Sequence, residues 1–206
     1  MGVGTVMLSR LRRSGVTLLF GLGVVAITVP AFGTLPGQPA PGFSLQDEDA
    51  GWHSLKDNAG KIIVLEWTNP GCPFVKRHYR EKTMVQTLER YADKNVVWLA
   101  VDSSHFATPE RAQQWAKEHG LPYATLIDVA GGVGKLYGAV TTPHMFVIGT
   151  DGAVKYSGAI DDDPWGEKPV VARGNHVAEA VDALLAGKDP PRAETDPYGC
   201  SVKYRK

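Results

Sequence analysis

The chain holds two cysteines, Cys72 and Cys200, and thiol chemistry is the clearest reactivity that its sequence offers. Cys72 follows an apolar run that ends at Trp67 and a short turn, and Pro73 then opens a segment with helical periodicity. A thiolate at the first turn of a helix is stabilised by free amide groups and by the helix dipole. We therefore predict that Cys72 has a lowered pKa and is the chemical centre, the alternative being a buried cysteine that acts as a small apolar side chain.

Several polar residues near Cys72 could modify its reactivity. Lys76, Arg77 and His78 would add positive charge, although we expect His78 to be a solvated surface histidine. Glu66 lies six residues before Cys72 at the end of an apolar run. Glu66 is a candidate general base, and a carboxylate that simply reaches solvent is the alternative.

The amino terminus has the layout of a secretory signal peptide. Three arginines precede an apolar run from 16 to 29, and Ala31 or Gly33 offers a small-residue cleavage site. The run is short for a membrane span, so an uncleaved anchor is the alternative. We assign 1–33 to a signal peptide or anchor and expect an exported protein of the bacterial periplasm, with membrane contact only if the segment is uncleaved.

Composition limits the remaining function classes. The chain has 206 residues, with 22 Lys and Arg against 22 Asp and Glu, so its formal net charge is zero. This length suits one domain with a full core. Neutrality argues against nucleic acid or an anionic membrane as the main partner. We assign 34–187 to the folded domain and 188–206 to a polar tail that carries Cys200.

The periodicity of the domain predicts alternating strands and helices. The predicted elements are a hairpin around Asp47–Gly51, a strand over Lys61–Trp67, a helix from Cys72 to about Ala92, a strand over Val96–Val101, a helix capped by Thr108 and ended by Gly120, a strand over Ala124–Ile127, a helical turn over Val133–Tyr137, strands over Pro143–Gly149 and Ala153–Ile160, and a helix over His176–Leu185. Alternation implies parallel crossovers, and Asp151-Gly152 implies an antiparallel hairpin at one edge. We predict an α/β fold whose mixed central sheet has helices on both faces, and we expect Asp161–Asp163 to be a solvated loop.

This element order resembles the thioredoxin fold, specifically the peroxiredoxin-like redoxin branch that includes alkyl hydroperoxide reductase and thiol-specific antioxidant proteins (AhpC/TSA). The resemblance spans about Pro41 to Gly187 and is carried by Glu66-Trp67, Gly71-Cys72-Pro73-Phe74-Val75-Lys76, Thr142-Pro143 and Asp151-Gly152, while Gly199-Cys200-Ser-Val-Lys resembles the tails of an exported group. It implies a cis Pro143 facing Cys72 and a Thr142 backbone that hydrogen-bonds an extended substrate. The implied substrate-binding residues are Trp67, Pro73, Thr142 and Pro143.

The chain departs from the family patterns close to Cys72. Thioredoxins carry Cys-x-x-Cys, whereas the positions three before and three after Cys72 are Asn69 and Val75. Peroxiredoxins usually have Thr or Ser in place of Asn69, and no arginine is placed by motif to polarise a peroxide. Copper-carrying redoxins need a second cysteine that Val75 and Lys76 do not supply, so we expect no metal and no cofactor.

Because Cys72 lacks a neighbouring cysteine, we expect Cys200 to be the resolving cysteine. The alternatives are a permanent Cys72–Cys200 disulfide and no pairing. The leading prediction is an exported thiol–disulfide oxidoreductase that acts on a protein disulfide or thiol and uses a reductant that the sequence does not identify. A peroxiredoxin-like thiol peroxidase is the first alternative. A non-catalytic module with a structural Cys72–Cys200 disulfide is the second.

Overall fold

The computed structural model of the chain describes residues 1–2 and 33–206. The predicted signal peptide or anchor, apart from its two ends, lies outside the described residues. In the part of the chain that is described, no helix combines the length and the apolar character needed to cross a membrane.

The described residues form nine strands and five α-helices. The strands are β1 (Ser44–Gln46), β2 (Trp52–Ser54), β3 (Ile62–Trp67), β4 (Val96–Asp102), β5 (Thr125–Ile127), β6 (Thr141–Thr142), β7 (His144–Ile148), β8 (Val154–Gly158) and β9 (Cys200–Ser201). The helices are α1 (Pro73–Arg80), α2 (Thr83–Glu89), α3 (Pro109–His119), α4 (Gly132–Tyr137) and α5 (His176–Leu185). The predicted cap at Thr108 and the predicted end at Gly120 are confirmed, since Thr108 accepts a hydrogen bond from the Arg111 amide and Gly120 is left-handed.

The central sheet has five strands in the order β5-β4-β3-β7-β8. Strands β3, β4 and β5 are parallel, whereas β7 is antiparallel to both β3 and β8. Strand β3 lies in the middle, and all six of its residues are buried. A strand covered on both faces reads as a continuous apolar run, which is why the sequence indicated it clearly.

The sheet separates two hydrophobic cores. Successive side chains of β3 alternate between them, so Ile62 and Val64 face one core and Ile63, Leu65 and Trp67 face the other. The first core includes residues of α1, α2, α3 and α5, and the second includes residues of α4. The predicted mixed α/β sheet with helices on both faces is confirmed.

The prediction of one helix from Cys72 to about Ala92 is wrong in its continuity. Lys82 adopts a left-handed conformation, with φ of 58°, and separates α1 from α2. Val75 and Met84 both pack in the first core. In one continuous helix, residues nine positions apart would point in directions about 180° different. The break therefore lets both side chains reach the same core.

The carboxyl-terminal tail packs on the domain. Near its start, the Thr195 amide donates to the Ser157 carbonyl, and further on β9 pairs with β6. Val202 is buried in the second core, and its amide donates to the Val140 carbonyl. The tail is thus part of the fold, and the path that it follows determines where Cys200 lies.

Candidate active site

The structure places Cys72 at the start of α1, as predicted. Its backbone is extended, its amide donates to the Asn69 carbonyl at 2.9 Å, and its carbonyl accepts from Lys76 at 2.9 Å. The Asn69 side chain accepts from the Gly71 amide at 2.7 Å and so shapes the turn between β3 and α1. Cys72 is only 2% exposed. The turn therefore holds the sulfur near the open amides of the helix.

The peptide bond between Thr142 and Pro143 is cis, as the resemblance implied. The bond brings the Thr142 carbonyl oxygen to 3.0 Å from the Cys72 sulfur, so the thiol can donate to it. Both residues of this bond are buried. The structure therefore brings together three of the predicted site residues, Cys72, Thr142 and Pro143.

The tail brings Cys200 to the same place. In the β6–β9 ladder Cys200 lies opposite Thr142, and the Thr142 hydroxyl donates to the Cys200 carbonyl at 3.4 Å. Gly199 allows this approach, because a Cβ atom there would lie 2.1 Å from the Thr142 carbonyl oxygen, and because its φ of +139° disfavours other residues. The two cysteines are not joined by a disulfide, and Cys200 packs against the first core, which contains Cys72.

The two thiols have opposite acidities. Burial acts to raise the pKa of Cys72, but hydrogen bonds to the thiolate outweigh it and lower that pKa; they come from the Cys200 thiol, the Val75 amide and the Thr142 hydroxyl. Burial and the hydrogen bond with Cys72 raise the pKa of Cys200 to about 11. In the reduced protein Cys72 is therefore the thiol that ionises first, and Cys200 keeps its proton.

Glu66 is fully buried under α1. Its carboxylate accepts hydrogen bonds from the Tyr79 hydroxyl and from the Trp98 indole, each at 3.0 Å, and Tyr123 donates to Tyr79 at 3.2 Å. Burial raises the pKa of Glu66 to about 7, with these hydrogen bonds acting in the opposite direction. Among the described residues, Glu66 makes no hydrogen bond to either cysteine, and it does not reach solvent. A proton passing between Glu66 and Cys72 would need an intermediate carrier.

Trp67 is buried, whereas Pro73 is exposed. Trp67 is fully buried in the second core, where it packs on Tyr137 and Phe146 and donates to the Ser103 hydroxyl at 3.0 Å. This position differs from the expected substrate contact, because alternation along β3 directs Trp67 to the face opposite Cys72. Pro73 is exposed beside Cys72 at the first position of α1.

The fold and this geometry agree with the comparison to protein families. The model of the AhpC/TSA family matches residues 36–157, which is more than half of the chain. The chain belongs to the AhpC/TSA family. The predicted redoxin identity is thus confirmed, and the matched region contains Cys72 and Pro143 but ends before the tail.

Individual relatives of this AhpC/TSA protein cover most of its length. "Putative peroxiredoxin Rv2521" of Mycobacterium tuberculosis (strain ATCC 25618 / H37Rv) is 28% identical over 153 residues, which are 70% of this chain and 90% of the relative. A crystal structure of an uncharacterized conserved protein from Geobacillus kaustophilus has a TM-score of 0.76 at 31% identity, covering 82% of this chain and 92% of that one. The "putative Thiol:disulfide interchange protein DsbE" of Chlorobium tepidum shares the thioredoxin fold, with a TM-score of 0.59 at 21% identity over 75% of this chain and 98% of that one.

Sequence reasoning missed a buried polar cluster that holds the tail. The Tyr198 hydroxyl, two residues before Cys200, donates to the Asp161 carboxylate, lies 3.0 Å from His78 Nε2 and accepts from Arg77 at 3.3 Å. The expectation that His78 is a solvated surface histidine is wrong. His78 is fully buried, and burial together with the charges of Arg77 and Arg173 lowers its pKa to about 3. It is therefore neutral at physiological pH.

The expectation of a solvated loop over Asp161–Asp163 is also wrong for two of its three residues. Asp161 and Asp163 are 2% and 3% exposed, and Asp163 forms an ion pair at 2.8 Å with Arg173, which also pairs with Glu81. Buried carboxylates need such partners. Distant acids and bases meet only in the folded chain, so the local sequence carried no signal of these pairs.

No metal site accompanies the thiols in the described part of the chain. Residues 1–2 and 33–206 contain no group of three or more His, Cys, Asp or Glu side chains that could hold an ion. His144, beside Pro143, is 5% exposed and makes its contacts within the protein, to the Val140 amide and the Ser157 hydroxyl.

Proposed function

We propose that this protein is a thiol–disulfide oxidoreductase in which Cys72 is the nucleophile and Cys200 is the resolving cysteine. One observation carries the proposal: β9 pairs Cys200, far away in sequence, with Thr142, whose carbonyl oxygen lies 3.0 Å from the Cys72 sulfur. No other cysteine is present in the chain. The tail thus supplies the partner that a Cys-x-x-Cys motif would have supplied within one turn.

The proposed reaction is a pair of thiol–disulfide exchanges. The Cys72 thiolate attacks one sulfur of a substrate disulfide, a Cys72–substrate disulfide forms, and the other substrate sulfur leaves as a thiolate. Cys200 then loses its proton and attacks the Cys72 sulfur, which releases the second substrate thiolate and leaves a Cys72–Cys200 disulfide. The substrate gains two electrons and the protein loses two. An external dithiol must then return the pair to the reduced state.

The roles of the surrounding groups follow from their positions. The Thr142 hydroxyl supports the thiolate, and Pro143 fixes the backbone on which both thiols meet. Pro73, exposed beside Cys72, is where the substrate would approach. Glu66, whose pKa is about 7, is suited to exchange protons near neutral pH. We propose that Glu66 carries protons through other groups. Trp67 stabilises the position of β3.

The test of this proposal is the reaction with an aromatic disulfide that releases a coloured thiolate. The wild-type protein should release two coloured thiolates per chain, and its mass should then show an internal disulfide with no adduct. Cys200→Ala should release one coloured thiolate and keep the adduct on Cys72. A wild-type protein that carries an adduct on each cysteine would contradict the proposal, because it would show two independent thiols.

A thiol peroxidase is the second candidate, and one observation favours it. The tail occupies the β6 edge beside Pro143, so an extended protein substrate would have to displace β9, whereas a peroxide is small enough to need no such opening. A relative named as a peroxiredoxin fits the same reaction. Stopped-flow mixing of Cys200→Ala with hydrogen peroxide would decide the matter, since a peroxidase should form a Cys72 sulfenic acid rapidly and a disulfide reductase should not.

We also propose that the protein acts after export. The arginine-rich start, the apolar run and the small residues before position 34 support this location. Expression of the full chain with fractionation of the cells should recover a shortened form outside the cytoplasm. Recovery of the full-length form in the cytoplasm would contradict export and leave the thiol chemistry unaffected.

A further inference from the structure

A cleft of about 570 Å³ lies between α1 and α3, beside the turn that leads to Cys72. It is lined by Pro70 of that turn, by Lys76 and Arg80 of α1, and by Arg111, Gln114, Trp115, Glu118 and His119 of α3. The proposed thiol chemistry gives no role to these residues, although the Lys76 amide bonds the Cys72 carbonyl and Trp115 packs on Tyr79. The cleft therefore borders the thiol site without being part of the proposed reaction.

The walls of the cleft carry unpaired positive charge. Lys76, Arg80 and Arg111 are exposed, and within the described ranges none of their side chains makes an ion pair or a hydrogen bond. By contrast, Arg90, which lies outside the cleft, pairs with Asp182 at 3.0 Å. In a chain of zero net charge, three unpaired cations around one concavity create a local positive field.

The floor of the cleft adds recessed donors. Trp115 is only 6% exposed, and its indole N–H has no hydrogen-bond partner in the described part of the chain. His119 stacks on Trp115 with ring centroids 4.0 Å apart, and its Nε2 likewise has no partner among the described residues. Buried donors are usually satisfied, since an unmade hydrogen bond is costly. An acceptor entering the cleft would satisfy them.

We propose that this cleft binds a small organic anion that carries two or more carboxylate or phosphate groups. Its volume lies in the range of sites for small molecules, roughly 300–1,000 Å³. Three cations match several negative groups at once, and Arg80 and Arg111 can each hold two oxygens of one group. Glu118 is the one acidic residue in the lining. Because the Trp115 indole is recessed, a small ligand can reach it and the flat surface of a protein cannot.

The cleft adjoins the thiol site through its lining and its floor. The Lys76 amide donates to the Cys72 carbonyl, and Tyr79, which donates to Glu66, packs against Trp115 with centroids 5.0 Å apart. A ligand bound here would therefore lie next to the helix that carries the nucleophile. Its binding can nevertheless be measured without any thiol reaction, so this inference and the proposed function can fail separately.

The test is a titration of the full chain with citrate, and separately with inorganic pyrophosphate, at about 0.15 M salt. The readout is the indole N–H resonance of Trp115 in an NMR spectrum, assigned with Trp115→Phe. We expect a saturable shift of this resonance with at least one anion. Citrate alone would indicate a carboxylate ligand, pyrophosphate alone a phosphate ligand, and both a site that accepts either group.

Matched variants separate this site from general attraction of anions. Arg111→Gln and Arg80→Gln should each weaken binding by roughly tenfold. Arg205→Gln removes an exposed arginine outside the cleft and should leave binding unchanged. The proposal is overturned if neither anion shifts the Trp115 resonance saturably, or if Arg205→Gln weakens binding as much as Arg111→Gln does.

Discussion

At the scale of single residues, each of the two cysteines changes the pKa of the other. Cys72 accepts a hydrogen bond from Cys200, and this contact lowers the pKa of Cys72 while it raises the pKa of Cys200. Cys200→Ala removes the donor, so the pKa of Cys72 should rise. The pH dependence of Cys72 alkylation, followed by mass spectrometry, measures this change.

The control for that prediction is Cys200→Ser. Serine keeps an O–H donor at the same position, so the pKa of Cys72 in this variant should stay closer to the wild-type value than in Cys200→Ala. Identical alkylation profiles in all three proteins would contradict the prediction, because they would show that α1 and Thr142 alone determine the pKa of Cys72.

Glu66 makes stability depend on pH in a defined direction. Its pKa is about 7 in the folded protein against an ordinary value of 4.5. The stabilisation from holding this proton is present below about pH 4.5 and is lost as the pH rises through about 7. Between these values the free energy of unfolding should fall by up to ~3 kcal/mol relative to Glu66→Gln. Denaturant unfolding of both proteins across this range checks it, and parallel curves would contradict a raised pKa.

What the sequence revealed about single residues depended on local chemistry. Cys72 and Pro73 formed a local pattern that placed a thiol at a helix start. His78 was misjudged because a histidine in a short helix gives no sign of which face it is on. Its neutral, buried state depends on Tyr198 and Asp161, which lie far away in the chain.

At the scale of elements, the tail is the part that determines whether the two cysteines meet. Tyr198→Phe removes the hydroxyl that bonds Asp161 and His78 just before Cys200. Hydrogen bonds to a charged group contribute about 1.5–3 kcal/mol, so the equilibrium constant for the Cys72–Cys200 disulfide should fall by about tenfold or more. Equilibration with dithiothreitol, followed by alkylation, measures that constant.

Tyr204→Phe is the matched control for this effect. The Tyr204 hydroxyl bonds the Ala139 carbonyl at 2.8 Å, beyond Cys200 rather than before it, and to a neutral group. Its loss should change the constant less than the loss of the Tyr198 hydroxyl does. Equal constants in wild type and Tyr198→Phe, with both proteins folded, would show that β9 alone positions Cys200.

The elements themselves were predictable where apolar periodicity was strong. The strands β3 and β4 and the helices α3 and α5 fall close to their predicted bounds, because both the burial pattern and the caps of these helices are local. The break between α1 and α2 was missed, since Lys82 is not a residue that indicates a left-handed turn. Strand β9 was missed because two residues in a polar tail carry no periodicity.

At the scale of the whole molecule, the tail is part of the core as well as of the site. A chain ending at Lys188 would lose Val202, which is 8% exposed, together with the β6–β9 ladder. Burial of one such side chain contributes about 1.5–3 kcal/mol, so the truncated protein should unfold at lower urea concentration under reducing conditions. Full-length Cys200→Ala is the control and should stay near wild type. Equal urea midpoints for truncated and full-length proteins would contradict this prediction, because they would show that the tail does not stabilise the domain.

The mixed parallel and antiparallel sheet and the AhpC/TSA identity could be predicted at this scale, whereas the closure of the β6 edge could not. Alternating strands and helices restrict the topology to few arrangements. The closure depends on Gly199, Tyr198 and Val202 acting together across the domain. It changes the expected substrate site, since the Thr142 backbone already pairs with the protein's own tail.

The reduction potential of the Cys72–Cys200 pair tests the central claim most directly. The full chain would be equilibrated with thiol–disulfide buffers, alkylated and weighed, with Cys72→Ser as the control that cannot form the pair. A redox-active pair should titrate reversibly as a two-electron couple between about −120 and −270 mV, the range of thiol oxidoreductases. A disulfide that stays oxidised below about −300 mV would be a structural link, and a pair that never oxidises would remove Cys200 from the reaction.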